Sequence, residues 1–90
     1  MSYGKKKQKA RPVSRFLKVH RAAKQARAEG RTLRRGSRGL PVRFVQERLG
    51  VRATGHFGPP TAKQVRRFKA RRGWAPYAVV GKRMLRALGA

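Results

Sequence analysis

The chain has 90 residues and carries 26 lysines and arginines against two acidic residues, so its formal net charge is +24. It contains no cysteine and no aspartate. Paired carboxylates, thiol nucleophiles and carboxylate metal ligands are therefore missing, which argues against an enzyme and against a metal or cofactor site. A free protein with this charge repels itself, so we expect a polyanionic partner or a large assembly.

Charge alone leaves three partners open: nucleic acid, an anionic membrane surface and anionic cell-wall polymer. His20 and His56 could pair, but no third group is available to orient a catalytic base. No apolar run has the length of a membrane span or a signal peptide. We therefore expect no membrane insertion, no small-molecule substrate, and synthesis in a bacterial cytoplasm without an export signal.

Residues 1–32 are interpreted as a polybasic arm followed by an amphipathic helix over about 14–29, which Gly30 ends. Phe16 and Leu17 lie on its apolar side. They either pack on the chain's own domain or anchor the helix on a partner, while the cations contact phosphate or acidic protein. The arm cations predicted to bind this partner are Lys5, Lys6, Lys7, Lys9, Arg11 and Arg15.

Three further helices are predicted after a connector at 31–40 that is rich in glycine and arginine. A proline near the start and a glycine at the end are typical of helix boundaries. The predicted helices run from Pro41 to Gly50, from Pro59 to Gly73 and from about Gly81 to Leu88. The third helix carries a cationic cluster that is predicted to contact a polyanion or an acidic protein: Arg66, Arg67, Arg71 and Arg72.

A weak internal repeat relates the two loops between these helices. A shift of 23 residues superposes Phe57-Gly58 on Val80-Gly81 and Val65 on Leu88. Each copy is a turn with a hydrophobe–glycine step followed by a short helix. The repeat and the apolar spacing predict these buried residues: Leu40, Val42, Val45, Leu49, Val51, Phe57, Val65, Phe68, Trp74, Val80, Leu85 and Leu88.

Three motifs follow one another through residues 33–90. They are Leu33-Arg-Arg-Gly36-Ser-Arg-Gly39 with Val42-x-x-Val45-Gln46-x-x-Leu49-Gly50, then Thr54-Gly55-x-Phe57-Gly58-Pro59-x-Thr61-x-x-x-Val65-x-x-Phe68, then Gly73-Trp74 with Val79-Val80-Gly81 and Leu85-x-x-Leu88. This series resembles the peptidoglycan-binding-like module of cell-wall hydrolases. The resemblance implies an all-α fold: a small three-helix module at 33–90, here joined to a basic arm and an amphipathic helix at 1–32.

The chain departs from that family in its loops. Thr54 stands where an aspartate is frequent, Lys69 where a glutamine is frequent, and Tyr77-Ala78 where Asp-Gly is usual. The resemblance therefore implies the architecture more firmly than it implies wall binding. Trp74 and Tyr77 are either sugar contacts or the core and rim of the small domain.

Our leading hypothesis from sequence is a non-catalytic structural or accessory protein of a bacteriophage virion, whose arm docks on an acidic protein lattice or on packaged DNA. The alternative is a peptidoglycan-binding module located in the cell wall. A second alternative is a non-specific nucleic-acid-binding protein that contacts phosphates. The virion hypothesis further predicts that removal of residues 1–30 leaves the module folded but abolishes docking.

Overall fold

The computed structural model describes residues 17–90 as four helices and one very small sheet. Helix α1 covers residues 17–28 of this part of the chain. The remaining elements are β1 (Leu33–Arg34), α2 (Leu40–Leu49), α3 (Pro59–Arg71), β2 (Val79–Val80) and α4 (Lys82–Ala87). The predicted all-α class is confirmed, with helices α2, α3 and α4 at the predicted positions. Within residues 17–90, no helix is long and apolar enough to cross a membrane.

The boundaries of α2 and α3 follow from proline and glycine chemistry. Both helices have proline in their first turn, where the missing N–H has no intrahelical partner to lose. Gly50 and Gly73 come directly after the helical turns, with φ of +75° and +73°. A side chain is strained at such angles, so glycine ends both helices and turns the chain into the following loop.

The sheet was not expected, because residues 31–40 contain no strand pattern. Strand β1 pairs antiparallel with β2, with Leu33 opposite Val80. Farther along the same connector, Phe57 N–H donates to Ser37 O at 2.9 Å and Gly39 N–H donates to Gly55 O at 2.9 Å. The predicted connector is therefore an ordered segment that pairs with both loops of the repeat.

One hydrophobic core joins all four helices. Most of the predicted buried residues are in it or packed against it, but Leu40 was predicted wrongly and is 36% exposed. Phe44 was missed, although it is 1% exposed and its ring stacks on His20 at a centroid distance of 5.6 Å. The core consists of Val19, Ala23, Ala26, Leu33, Val42, Phe44, Val45, Phe57, Ala62, Val65, Val80, Met84, Leu85 and Leu88.

Helix α1 is packed on the module through a different face from the one predicted. Leu17 is 47% exposed, whereas Val19, Ala23 and Ala26 are buried at the i, i+4, i+7 spacing of one helix face. Of the two alternatives for the Phe16–Leu17 patch, packing on the chain's own domain is thus not seen for Leu17, and anchoring on a partner stays a prediction. Phe16 and all the arm cations from Lys5 to Arg15 lie outside the described residues.

Two hydrogen bonds tie α1 to the end of the chain. His20 Nε2 donates to Gly89 O at 2.8 Å, and Arg27 Nε donates to Ala90 O at 2.9 Å. Removal of residues 1–30 would take these bonds and three buried side chains from the core. We therefore revise the expectation that the module folds unchanged without that segment; the division of the chain at residues 32 and 33 stays a prediction.

The 23-residue repeat is confirmed in three dimensions. Thr61 and Met84 are both nearly inaccessible, and Val65 corresponds to Leu88 in the same way. Gly58 and Gly81 both precede a helix in extended conformation, with φ of −111° at each. The two loops therefore share the same order of features. Each has a buried hydrophobe, then a glycine in extended conformation, then a helix with a buried residue in its first turn, Thr61 or Met84.

The side chain of Gln46 holds the first loop in place through hydrogen bonds. This side chain is 1% exposed. Its Nε2 donates to His56 O and to Thr61 Oγ1, both at 3.0 Å, while its Oε1 accepts from Gly55 N–H at 2.9 Å. Gln46 thus satisfies buried polar groups of α3 and the loop that would otherwise be unpaired.

We expect Val19→Ala to destabilise the protein by about 2 kcal/mol, because it removes apolar volume from a closed site in the core. Lys18→Ala, one residue earlier and exposed, is the matched control and should change the free energy of unfolding by less than about 0.5 kcal/mol. Urea unfolding monitored by circular dichroism measures both values. Equal stability of the two variants would contradict the packing of α1 on the core.

We expect Gln46→Ala to cost about 3 kcal/mol, because it removes the hydrogen bonds to Gly55 N–H and to the buried Thr61 Oγ1 and opens a cavity. The control is Gln64→Ala on α3, a glutamine that is only partly buried. Thermal unfolding of the two variants compares them directly. A loss no larger than that of Gln64→Ala would show that Gln46 does not hold the loop.

Candidate binding site around Trp74 and Tyr77

The second loop and the helices beside it surround a cavity of about 370 Å³. Its lining combines two aromatic rings with three cationic side chains. The residues that contribute them are Lys69, Trp74, Tyr77, Lys82 and Arg83. Trp74 and Tyr77, the predicted sugar-contact candidates, lie together in this one cavity. Lys82 and Arg83 were not predicted as site residues, and Lys69 was singled out only as a departure from the family pattern.

Trp74 is held by its neighbours rather than free to stack on a ligand. Its ring meets Phe68 edge to face at 6.1 Å, with an interplanar angle of 70°. The Arg83 guanidinium lies 4.1 Å from the ring centroid, within cation–π distance. Trp74 therefore forms the half-buried inner wall of the cavity, with its ring engaged by the protein itself.

Tyr77 is the aromatic side chain that a ligand can reach. It is 71% exposed at the rim of the cavity. Its backbone N–H donates to Ala75 O at 2.9 Å, which keeps the loop turned at this point. Tyr77 thus offers an open ring face and a hydroxyl, the combination that suits a partner with both apolar and polar groups.

Lys69 occupies in the second repeat the position that Gln46 occupies in the first. Its Nζ donates to Val79 O, as Gln46 Nε2 donates to His56 O. Burial lowers the pKa of Lys69 from its ordinary value of 10.5. Where the family resemblance predicts glutamine, this chain therefore places a partly desolvated ammonium group at the cavity, available to an anionic ligand.

The first loop has a corresponding cavity of about 350 Å³. Arg38, Arg43 and His56 are among the side chains that line it. Arg43 Nε is buried and lacks a hydrogen-bond partner among the described residues. Among the described residues, no phenylalanine, tyrosine or tryptophan lines this cavity, so the two halves of the repeat present different chemistry.

The predicted cationic cluster on α3 is exposed, as expected for a contact surface. Arg66, Arg67 and Arg71 point to solvent. Arg72 is also exposed but its guanidinium lies 4.6 Å from the Phe68 ring centroid and 5.7 Å from that of Trp74. Arg72 thus belongs to the surroundings of the Trp74 cavity, and the polyanion-binding role of the four residues stays a prediction.

Leu17, the predicted anchor that the structure describes, lines a cleft of about 520 Å³ along α1. Its neighbours there include Arg21 and Lys24. A partner role for Leu17 stays a prediction. Within residues 17–90, no group of three or more histidine, cysteine, aspartate or glutamate side chains could hold a metal ion.

No family model and no curated protein matches the sequence. A solved structure matches the fold: the crystal structure of a fused Zn-dependent amidase/peptidase/peptidoglycan-binding domain-containing protein from Clostridium acetobutylicum ATCC 824. The TM-score is 0.65 and the sequence identity 27%, over 68% of this chain. The match spans 30% of that larger protein. This likeness supports the peptidoglycan-binding-like fold that the three motifs predicted.

The lowered pKa of Lys69 makes the free energy of unfolding depend on pH. The folded state binds this proton more weakly than the unfolded state, so the cost of the buried ammonium is fully present below the folded pKa and is relieved as pH rises toward 10.5. We expect the stability of the native protein relative to Lys69→Gln to increase over that window. Urea unfolding at successive pH values measures the difference.

Lys63→Gln provides the control for this titration, because Lys63 is an exposed lysine on the same helix. Its stability relative to the native protein should change less over the same pH window. If the Lys69→Gln difference were as flat with pH as that of Lys63→Gln, Lys69 would not be the desolvated group that the structure indicates.

Proposed function

We propose that this protein is a non-catalytic cell-wall-binding protein that contacts peptidoglycan through the cavity around Trp74 and Tyr77. The observation that carries the proposal is the fold likeness, at 27% identity, to a protein whose name includes a peptidoglycan-binding domain. The virion hypothesis derived from sequence gains no support from the comparisons. The alternative derived from the same residues is therefore our leading proposal.

The shared part is best understood as the binding domain of that fused protein. A zinc-dependent amidase needs about three protein ligands around its metal, from histidine, cysteine or carboxylate side chains. This chain has two histidines, two glutamates and no cysteine. All four lie within residues 17–90, and no three of them are close enough together there to hold a metal ion, whereas the helices and loops that match require none.

The cavity offers two kinds of contact that suit peptidoglycan. Sugar rings have apolar faces edged with hydroxyls, which fit the exposed ring of Tyr77 and its hydroxyl group. The peptide stems carry carboxylates, which fit the cationic groups of Lys69, Lys82 and Arg83. A ligand that bridges sugar and peptide would meet both kinds of contact within the one cavity of about 370 Å³.

The net charge of +24 assists this function in a general way. A strongly positive protein is attracted to an anionic wall, and this attraction raises its rate of association and its local concentration. Specific recognition would then depend on the cavity, and the polybasic segment before residue 17 would add affinity that falls with salt.

A virion component or a non-specific nucleic-acid binder is the second candidate. It is favoured by the cations of residues 1–16 together with the exposed arginines of α3. Either function would depend on phosphate or carboxylate contacts spread over the surface, so its affinity should fall steeply with salt. The cavity proposal differs because its aromatic contact is insensitive to screening.

We expect the full chain to be retained on insoluble peptidoglycan at about 0.5 M salt, where the Debye length is about 4 Å. Tyr77→Ala should lower the retained fraction several-fold, since it removes an exposed ring that the fold does not need. Tyr77→Phe keeps the ring and should keep most of the retention. A sedimentation assay measures all three proteins.

DNA cellulose at the same salt is the comparison matrix. Release from DNA together with retention on peptidoglycan supports the proposal. Retention on DNA alone would replace it by the nucleic-acid function. Equal loss of peptidoglycan retention in Tyr77→Ala and Tyr77→Phe would contradict stacking as the basis of the contact.

A further inference from the structure

A further cleft, of about 380 Å³, is lined by cationic side chains. They are Arg27 of α1 together with Lys82, Arg83 and Arg86 of α4. The cleft exists because α1 packs on the core, since its lining joins a residue from before the predicted module to three residues at the module's end. The motifs that resemble peptidoglycan-binding-like modules begin at residue 33, so Arg27 is an addition to that pattern.

Two of the four cations are held in place by other parts of the protein. Arg27 Nε donates to Ala90 O at 2.9 Å, which fixes the guanidinium at the cleft and uses one of its five N–H donors. Arg83 lies 4.1 Å from the ring centroid of Trp74. The positive charges are thus positioned before any ligand arrives, which reduces the entropy lost on binding.

Within residues 17–90, no acidic side chain lines the cleft. Among the described residues, Glu29 accepts a hydrogen bond from Gln25 Nε2 at 3.1 Å on α1, and Glu47 is on α2. Cations that converge repel one another, and an anion bound between them relieves this repulsion. Arginine in particular presents paired N–H donors that match the oxygens of a phosphate group.

We infer that this cleft binds phosphodiester groups of an anionic, polyol-phosphate wall polymer. The inference rests on the proposed function for the location of the polymer, and on the four cations for its chemistry. Lys82 and Arg83 line both this cleft and the Trp74 cavity. The two sites therefore form one continuous surface, on which peptidoglycan and a phosphate polymer attached to it can bind side by side.

Nucleic acid is the competing source of phosphodiesters, and the cleft itself favours it less. Proteins that bind single strands combine cations with aromatic rings on which successive bases stack. None of the four side chains that line this cleft is aromatic. In the adjoining cavity the Trp74 ring already has the Arg83 guanidinium beside it. A polymer without bases needs only the charges.

The test uses the full chain and measures its affinity for poly(glycerol phosphate) at about 0.15 M salt. The Debye length is then about 8 Å, so each charge acts mainly on groups close to it. Lys82→Gln/Arg86→Gln removes two exposed cations of the cleft. Arg52→Gln/Lys63→Gln removes the same charge from exposed positions elsewhere. We expect the cleft variant to lose about tenfold or more in affinity, and the control less than about threefold.

Arg27→Gln tests the contribution of α1 separately, with its unfolding curve recorded because the bond to Ala90 O is lost. It should weaken polymer binding at a temperature where the variant is fully folded, whereas equal binding by native protein and Arg27→Gln would remove α1 from the site. Equal losses in the two double variants would overturn the inference in favour of diffuse charge attraction.

Two further arms separate this inference from the proposed function. Peptidoglycan stripped of its phosphate polymer should retain a single Arg86→Gln variant as well as the native protein, because Arg86 lines the cleft and does not line the Trp74 cavity. If neither the native protein nor the variant were retained on stripped peptidoglycan, the result would count against the proposed function and leave the cleft assignment intact. Binding of single-stranded DNA that is tighter than poly(glycerol phosphate), and lost selectively in the cleft variant, would overturn the wall-polymer assignment.

Discussion

The pairing of residues 33–39 with both loops is the constraint on which the rest of the structure depends. Strand β1 pairs with Val79–Val80 in the second loop, and backbone bonds from Gly36, Ser37 and Gly39 reach the first. Each loop carries one buried hydrophobe, Phe57 or Val80, that must stay in the core. Because one short segment satisfies the polar backbone of both loops, it sets their separation, and with it the positions of the helices that follow them.

The two halves of the repeat show how one framework carries two chemistries. Gln46 and Lys69 lie 23 residues apart and each donates to a loop carbonyl. The amide of Gln46 can donate and accept, so it also takes the Gly55 N–H and closes the first loop. An ammonium can only donate, so Lys69 leaves the second loop with a positive charge at its cavity. That difference, with Trp74 and Tyr77 beside it, is what makes the second loop the stronger binding candidate.

Several cationic side chains of the folded part are held by contacts with other residues. Arg72 and Arg83 lie against aromatic rings, and Arg27 against a backbone carbonyl. Such contacts use the flat guanidinium both as a packing surface and as a donor. Some of the arginines therefore stabilise the fold and position charge at the same time. Arg27 and Arg83 of the cleft between α1 and α4 differ in this way from the exposed arginines of α3, which are simply solvated.

Sequence alone determined the helices α2, α3 and α4, because proline and glycine at their ends and the spacing of Val42, Val45 and Val65 are local signals. It also determined the repeat and the resemblance, and it pointed to Trp74 and Tyr77. Only the tertiary structure decided which face of α1 is buried, since alanines at 23 and 26 carry too little hydrophobicity to reveal a core face beside Leu17. The sheet and the cleft at Arg27 and Arg86 also escaped sequence reasoning, because each joins residues more than forty positions apart. Such pairings depend on how the helices pack, and no local pattern records them.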